Sequence, residues 1–282
     1  MEGVKVSIDR IVVDFTNVYW KFFNPLRQWL CDSYNASFYV KDKGFKYRVR
    51  VREGKHWAYL SYQLVYARIG RKHTLRLECP PDSLIHFQSW ISEIGNHATE
   101  ILYVRSDVAF DIPLPLTELF VLSLTGRNMK KRKGTFYSNK SYQRQVAGYC
   151  RVYDKKLELL QRRGVRIEGE LTRFEIVYKP VEKIPMSALV QFPPLFNRLY
   201  LCSQVIGLEQ MKPKLQQRVK ELLSGELEQK QVTGYYRREI EKRMRQRPTM
   251  DFNRLAEEQW EGVITIPCVV LGGVVSKLPV AL

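Results

Sequence analysis

The sequence lacks the features of secreted, membrane-spanning and disordered proteins. It has no uncharged apolar run of about 18 residues, so we expect no transmembrane helix. Residues 1–15 alternate charged with apolar side chains, and we expect no secretory signal peptide there. Hydrophobic residues make up 45% of the 282 residues, which is too many for a disordered chain. This length and composition suit one large domain or two smaller ones.

Cysteine and histidine are sparse and lack the spacing of metal sites. The five cysteines contain no CxxC pair, which argues against a disulfide framework and against a zinc site. The four histidines are scattered as well. We therefore expect a reduced, cytoplasmic setting, in which any metal would be held by oxygen ligands. A GxxxxGK[ST] nucleotide-binding loop is also absent from the sequence.

Acidic residues are few compared with basic ones. Lysine and arginine total 46 and aspartate and glutamate total 29, which gives a net charge of +17. A compact protein with this self-repulsion indicates a polyanionic partner. Nucleic acid is the leading candidate and an anionic membrane surface the second. We expect no membrane partner, because the basic residues do not lie on one strongly amphipathic helix.

Hydrophobic periodicity predicts an α+β fold with a mixed or antiparallel sheet and packed helices. Period-two patterns predict strands over residues 8–15, 56–68, 72–78, 100–111, 135–138, 148–154 and 164–178, with a hairpin over 37–51. Helical spacing predicts helices over 20–32, 83–94, 114–124, 187–201, 212–223 and 234–247. We expect residues 1–180 to form a catalytic domain. Residues 181–282 would form a basic, helical DNA-binding or dimerisation region, in which residues 261–282 are a further strand or an exposed apolar end.

Residues 126–163 concentrate positive charge among aromatic side chains. Twelve lysines and arginines accompany two acids, which gives this segment a charge of +10. Such a segment suits a nucleic-acid strand, whose phosphates need neutralising and whose bases can stack. A solvated basic loop is the alternative. The predicted DNA contacts are Lys130, Lys131, Arg132, Lys133, Tyr137 and Lys140, together with Arg237 and Arg238 from the basic helix 235–247.

Four carboxylates lie on predicted strands, each beside an arginine on the same face: Glu78, Asp107, Asp111 and Glu168. If these strands are neighbours, the carboxylates form an oxygen-only site suited to Mg²⁺ or Mn²⁺. Asp107 and Asp111 lie about 13 Å apart along one strand, whereas a cross-strand pair such as Glu78 and Asp107 can approach within about 5 Å. An arginine–carboxylate ladder on a solvated sheet face fits the pattern equally well.

The segment Arg151-Val152-Tyr153-Asp154-Lys155-Lys156 indicates a nucleophile. On a strand, Arg151, Tyr153 and Lys155 point the same way. A tyrosine between two cations can attack a phosphodiester, because the cations stabilise the phenolate and the pentavalent phosphate. An ordinary strand tyrosine is the competing interpretation.

Five short motifs, in this order, resemble those of the staphylococcal-type plasmid rolling-circle replication initiators, which are related to conjugative relaxases and filamentous-phage replication initiators. They are Arg76-Leu77-Glu78-Cys79-Pro80, the RxDxAxD pattern of residues 105–111, GTFYSNKS of 134–141, RxYxKKxE of 151–158 and RxExEL of 166–171. The resemblance covers about residues 8–179. It implies that Tyr153 is the nicking nucleophile, and Tyr137, Tyr142 and Tyr149 remain alternatives. It also implies that Mg²⁺ or Mn²⁺ binds Glu78 and Asp107, with Asp111 and Glu168 as further candidates.

The function that the resemblance implies is initiation of rolling-circle replication in a prokaryotic cytoplasm. The protein would nick and rejoin double-stranded origin DNA at an extruded single-stranded site, through a 5′-phosphotyrosyl intermediate. Arg151 and Lys155 would clamp the phosphate. The implied partners are origin DNA, a host helicase and polymerase, and a second copy of the chain. A conjugative relaxase with the same chemistry and a non-catalytic DNA-binding or copy-control protein are the alternatives.

Overall fold

The computed structural model describes residues 3–41, 44–67, 70–138 and 144–272, which divide into two compact units. Unit 1 takes the described residues of Met1–Ser7, Val108–Tyr178 and Pro194–Gln259, and unit 2 takes those of Ile8–Asp107, Lys179–Pro193 and Trp260–Leu282. The units do not follow the predicted boundary at residue 180, since each contains residues from both sides of it. Within the described residues, no helix is long and apolar enough to cross a membrane.

Helices and antiparallel strands both contribute substantially, so the predicted α+β class is confirmed. The strands are β1 (Lys5–Thr16), β2 (Ser37–Val40), β3 (Tyr47–Glu53), β4 (His56–Ala67), β5 (Gly70–Cys79), β6 (Ile101–Ile112), β7 (Leu119–Ser123), β8 (Met129–Arg132), β9 (Thr135–Ser138), β10 (Cys150–Asp154), β11 (Thr172–Tyr178), β12 (Ile184–Pro185) and β13 (Tyr200–Gln204). The α-helices are α1 (Trp20–Ser33), α2 (Pro81–His86), α3 (Gln88–Asn96), α4 (Lys155–Arg163), α5 (Pro213–Ser224), α6 (Gly234–Arg245) and α7 (Phe252–Gly272).

Unit 2 is a sheet with helices on one face. Its strands follow the order β2-β3-β4-β5-β1-β6. Val49 pairs with Leu60, and Leu60 pairs with Leu77, so apolar side chains of three neighbouring strands share one buried face. Helix α1 covers this face, where Phe23 stacks on Tyr62 with 4.8 Å between the ring centroids. The alternate residues of the same strands form the opposite, polar face.

Unit 1 repeats this arrangement with other strands. After β6, which contributes to both units, its strands follow the order β11-β10-β9-β8, and β7 pairs with β13 separately. An aromatic core lies on one side, where the ring of Phe252 is 5.0 Å from Phe110 and 4.8 Å from Phe174. Helices α5 and α6 pack on the β7–β13 pair through a second core of Phe120, Leu122, Leu201, Met211, Leu215, Val219, Leu222, Ile240 and Met244.

Two predicted helices are wrong. Residues 114–124 form a single 3₁₀ turn, Leu116–Glu118, followed by β7, because residues 119–123 pair with β13 and all but Val121 are buried. Residues 187–201 form the 3₁₀ helix Met186–Gln191 and then the start of β13. The consecutive prolines Pro193 and Pro194 cannot continue a helix, because they lack the backbone N–H that it requires.

The predicted strand over residues 164–178 is correct only in its second half. Residues 164–171 are irregular and β11 begins at Thr172. Gly169 adopts a positive φ of 72°, which an extended strand does not accommodate. The basic segment 126–163 contains a strand that was not predicted, β8, which forms a hairpin with β9. Helix α7 occupies most of the predicted apolar end, and residues 273–282 lie outside the described residues.

Candidate active site and nucleic-acid-binding surfaces

Tyr153 lies next to the junction between β10 and α4. The Asp154 carboxylate accepts a 2.8 Å hydrogen bond from the backbone N–H of Leu157, which caps the first turn of the helix. Gly164 ends the helix at a φ of 65°, in the left-handed conformation that favours glycine. The predicted strand position of Lys155 is therefore wrong, since Lys155 is the first helical residue. Tyr153 is held where a strand turns directly into a capped helix.

The strand register places the candidate catalytic residues on one polar face. Arg151 lies opposite Glu175, and Tyr153 lies opposite Arg173, in the pairing of β10 with β11. On the other side, Arg151 lies opposite Tyr137 of β9. Directly opposed residues project from the same side of a sheet. Tyr137, Arg151, Tyr153, Arg173 and Glu175 thus share the polar face of unit 1, which we call the tyrosine face.

Glu175 connects the tyrosine to an arginine. The Tyr153 hydroxyl donates a 2.5 Å hydrogen bond to Oε1 of Glu175. The other carboxylate oxygen, Oε2, is ion-paired with the guanidinium of Arg151. Glu175 is only 3% exposed, so these partners replace much of its hydration. A hydroxyl aimed at a buried carboxylate is the arrangement of a nucleophile beside a proton acceptor.

Asp111, a predicted metal ligand, is bound to arginine. Both of its carboxylate oxygens accept hydrogen bonds from Arg173, at 2.6 and 2.7 Å. Arg173 lies opposite Tyr153 in the register, so this bidentate pair fixes a guanidinium on the tyrosine face. The geometry gives Asp111 the role of positioning an arginine, and it does not fit a cation ligand.

Lys155 lies close to the tyrosine although it is helical. Its Nζ atom is 5.8 Å from the ring centroid of Tyr153 and 2.7 Å from Oε2 of Glu158. Burial alone would raise the pKa of Glu158. The hydrogen bond and charge of Lys155, with the charges of Arg162 and Arg163, outweigh burial and hold that pKa below its usual value. The predicted association of Lys155 with Tyr153 therefore occurs through the first turn of α4.

Two arginines, Arg10 and Arg105, connect Glu78 of β5 to Asp107 of β6 in unit 2, and β1 lies between these two strands. Arg10 is 2.7 Å from Glu78 and 3.6 Å from Asp107, and Arg105 is 3.3 Å from Glu78 and 3.2 Å from Asp107. The side chains of Arg105 and Asp107 are almost fully buried. A divalent cation here would meet two positive charges at contact distance, so the residues do not fit Mg²⁺ or Mn²⁺. The cluster matches the alternative interpretation, an arginine–carboxylate ladder.

The remaining predicted metal ligand, Glu168, belongs to unit 1 and does not lie on a strand. Glu168 is exposed in the irregular segment before β11, where its neighbour Glu170 pairs with Lys156. The predicted strand position of Glu168 is therefore wrong. In the part of the chain that the structure describes, no group of three or more His, Cys, Asp or Glu side chains could hold a metal ion.

The sequence interpretation missed Glu175, Arg173 and Arg10. All three belong to strands that were predicted at least in part. The alternation of charged and apolar residues in β11 could have identified Arg173 and Glu175. In Thr172-Arg173-Phe174-Glu175-Ile176, charged residues alternate with buried apolar ones, as in a strand with one polar face. The motif RxExEL instead favoured Glu168 and Glu170, which lie seven and five residues before Glu175.

The basic hairpin β8–β9 divides its cations between two sides. Lys130 lies opposite Tyr137, so Lys130 and the alternate residue Arg132 are on the side of the tyrosine face. Both are exposed, and Lys130 pairs with Glu228 at 3.0 Å. Lys131 points the other way, and its Nζ donates to the Leu223 carbonyl at 3.2 Å. Exposed Lys133 forms the hairpin turn.

Two other predicted DNA contacts have different surroundings. Arg237 donates a 2.6 Å hydrogen bond to the carbonyl of Ser123 and so links α6 to β7, whereas Arg238 is exposed. Lys140 lies outside the described residues.

One of the alternative nucleophiles, Tyr149, fits less well than Tyr153. Tyr149 is 3% exposed, and burial raises its pKa despite the opposing charge of Arg144, so its hydroxyl is hard to ionise or to reach. Tyr137 lies on the tyrosine face, and Tyr142 lies outside the described residues.

No protein-family model and no curated protein matches the chain.

Proposed function

We propose that this protein nicks and rejoins DNA with Tyr153 as the nucleophile, as a rolling-circle replication initiator does. The observation that carries the proposal is the 2.5 Å hydrogen bond from the Tyr153 hydroxyl to buried Glu175. Glu175 is a proton acceptor for the phenol of Tyr153, and the segment Arg151–Lys156 alone does not contain one on the tyrosine face. The net charge of +17 supports a nucleic-acid substrate.

The proposed reaction is one phosphoryl transfer. The phenolic oxygen of Tyr153 forms a bond to phosphorus while the bond from phosphorus to the 3′ oxygen breaks. Glu175 takes the phenolic proton, and water protonates the departing 3′ oxygen. The products are a 5′-phosphotyrosyl link and a free 3′-hydroxyl that a polymerase can extend. Because the link keeps the phosphodiester energy, attack by a 3′-hydroxyl rejoins the strand without a nucleotide cofactor.

The cations around Tyr153 have distinct roles in this proposal. Arg151 and Arg173 lie beside the tyrosine on the same face, and Lys155 lies near its ring. Fixed positive charge there stabilises the negative charge that builds on the phosphate oxygens. Exposed Lys130 and Arg132 extend this charge toward the DNA backbone. DNA affinity should consequently fall steeply as the salt concentration rises.

The proposal assigns no step to a divalent cation, because Glu78 and Asp107 hold arginines. Dependence on Mg²⁺ or Mn²⁺ stays a prediction of the family resemblance and enters the experiment as a variable. A conjugative relaxase would use the same chemistry on a transfer origin, and only the DNA substrate separates the two roles.

A non-catalytic DNA-binding protein is the second candidate function. It is favoured by the pairing of Glu78 and Asp107, two of the four predicted metal ligands, with Arg10 and Arg105. In that case the hydrogen bond between Tyr153 and Glu175 would serve only to join β10 to β11.

The test is capture of the covalent intermediate. The protein is incubated with labelled single-stranded origin oligonucleotides, with and without Mn²⁺, and a denaturing gel and peptide mass mapping locate any adduct. We expect an adduct on Tyr153 that Tyr153→Phe abolishes. Tyr137→Phe, on the same face, is the matched control and should retain it. An adduct on Tyr137 or Tyr149 would overturn the assignment, and salt-sensitive DNA binding without any adduct would favour the non-catalytic role.

A further inference from the structure

The polar face of unit 2 carries a row of arginines beside a row of aromatic side chains. In the pairing of β3 with β4, Arg52 lies opposite Trp57 and Arg50 lies opposite Tyr59. Arg48 follows on the same side of β3, since alternate residues of a strand share a face. The register therefore places three arginines along one strand and two aromatic rings along the next.

The carboxylates of this face are already bonded to other cations. Asp14 accepts two hydrogen bonds from Arg76, at 2.7 and 2.9 Å, and lies 2.8 Å from Nζ of Lys183. Glu78 and Asp107 hold Arg10 and Arg105, as described above. The charge of the β3 arginines is therefore in excess on this face. An excess of fixed positive charge attracts phosphate.

Two of the arginines stack on the aromatic rings. The guanidinium of Arg50 lies 5.6 Å from the ring centroid of Tyr59, and that of Arg10 lies 5.4 Å from the ring centroid of Trp57. Nε of Arg50 is buried, with no hydrogen-bond partner among the described residues. Stacking orients a guanidinium without neutralising it, so Arg50 keeps its charge for another partner.

We propose that this surface, the arginine face of Arg10, Arg48, Arg50, Arg52, Trp57 and Tyr59, binds single-stranded DNA. Phosphates would contact the β3 arginines, which recur about every 6.6 Å along the strand, and bases would stack on the aromatic rings and the guanidinium planes. A duplex keeps its bases stacked inside the helix, so the rings select unpaired DNA. The inference rests on the proposed function for its choice of DNA, and it gives that function a second surface that holds the strand.

The test measures non-covalent binding in the full chain. Tyr153→Phe is the background, so that no adduct forms, and fluorescence anisotropy follows an oligothymidylate long enough to cover the face. We expect Trp57→Ala and Arg52→Ala each to weaken binding about tenfold, whereas Trp57→Phe retains most of the affinity because a ring remains. Arg254→Ala removes another exposed arginine, one of α7 that pairs with Glu258, and is the control. Affinity for a duplex of the same length should not respond to Trp57→Ala.

Two outcomes would overturn the inference. One is unchanged single-strand affinity in Arg52→Ala, an exposed substitution that leaves the core intact. The other is an equal loss of duplex and single-strand affinity in Trp57→Ala. The nicking proposal fails separately: absence of an adduct on Tyr153 with normal oligothymidylate binding rejects nicking and leaves the arginine face standing. A normal adduct on Tyr153, with single-strand affinity unchanged in Trp57→Ala and Arg52→Ala, rejects the arginine face and leaves the nicking proposal standing.

Discussion

The polar faces of the two units both pair arginines with carboxylates, but the partners of those carboxylates differ. On the tyrosine face, Glu175 bonds an arginine through one oxygen and the hydroxyl of Tyr153 through the other. In unit 2, Glu78 bonds Arg10 through one oxygen and Arg105 through the other. The same side-chain type therefore accepts a hydrogen bond from a phenol in one unit and balances positive charge alone in the other.

This difference separates a candidate base from a structural acid better than residue type does. A carboxylate between two guanidinium groups has both oxygens engaged by cations and gains little by accepting a proton. A carboxylate that accepts a phenolic hydrogen bond is already placed for proton transfer. The partners of each carboxylate, more than its place in a motif, thus indicate which carboxylate is suited to accept a proton.

The largest expected effect is on the rate of adduct formation. Glu175→Gln keeps the shape of the side chain but removes the proton acceptor, so we expect the rate to fall by about 10²–10⁴-fold. Glu78→Gln should change the rate of the folded protein far less. Single-turnover kinetics on an origin oligonucleotide would measure both. If Glu78→Gln were the slower variant, the comparison would be reversed and the cation hypothesis would regain support.

A smaller effect is expected on stability in unit 2. Asp107→Asn leaves the buried guanidinium of Arg105 with one fewer charged partner, which should lower the free energy of unfolding by about 3 kcal/mol. Urea unfolding would measure it. Glu168→Gln, in the exposed irregular segment, is the control and should change stability by no more than about 0.5 kcal/mol.

Urea unfolding also tests whether a divalent cation binds at Glu78 and Asp107. Added Mn²⁺ should leave the unfolding free energy of the parent protein unchanged, since a ligand stabilises only a folded protein that binds it. Mn²⁺-dependent stabilisation that Asp107→Asn removes would show a cation site at the cluster and contradict the arginine-ladder interpretation.

Hydrophobic periodicity predicted most of the strands and helices, but it predicted only part of the candidate site. Strong alternation predicted β1, β4 and β6, and helical spacing predicted α1, α5 and α6. Periodicity did not predict α4, because the segment after Tyr153 is defined by the Asp154 cap and the left-handed Gly164, which are local signals at two residues. Residues 119–123 were predicted as helix because their strand partner, β13, lies about 80 residues away in sequence.

The pairing of charges was beyond sequence periodicity. Alternation shows which residues share a strand face, but not which strand lies beside it. Glu78 and Asp107 were expected on neighbouring strands, but β1 lies between β5 and β6, and arginines connect the two carboxylates. Arg10 of β1 pairs with both carboxylates, and no sequence feature near Glu78 or Asp107 predicts this contact. Glu175 reaches Tyr153 in the same way, through the register of β10 with β11.

The smallest expected effect concerns the glutamate that holds Lys155 beside the tyrosine face. The pKa of Glu158 is lowered from 4.5, so its ionised form stabilises the folded state above that pH, and this contribution is lost as the pH falls through the lowered pKa. Glu158→Gln should therefore cost about 0.5 kcal/mol at pH 7, as expected for a helical pair three residues apart, and progressively less below pH 4.5. A double-mutant cycle with Lys155→Met, followed by urea unfolding at both pH values, isolates the pair. A coupling energy that persists at acid pH would mean that Glu158 is held by packing and that its charge does not position Lys155.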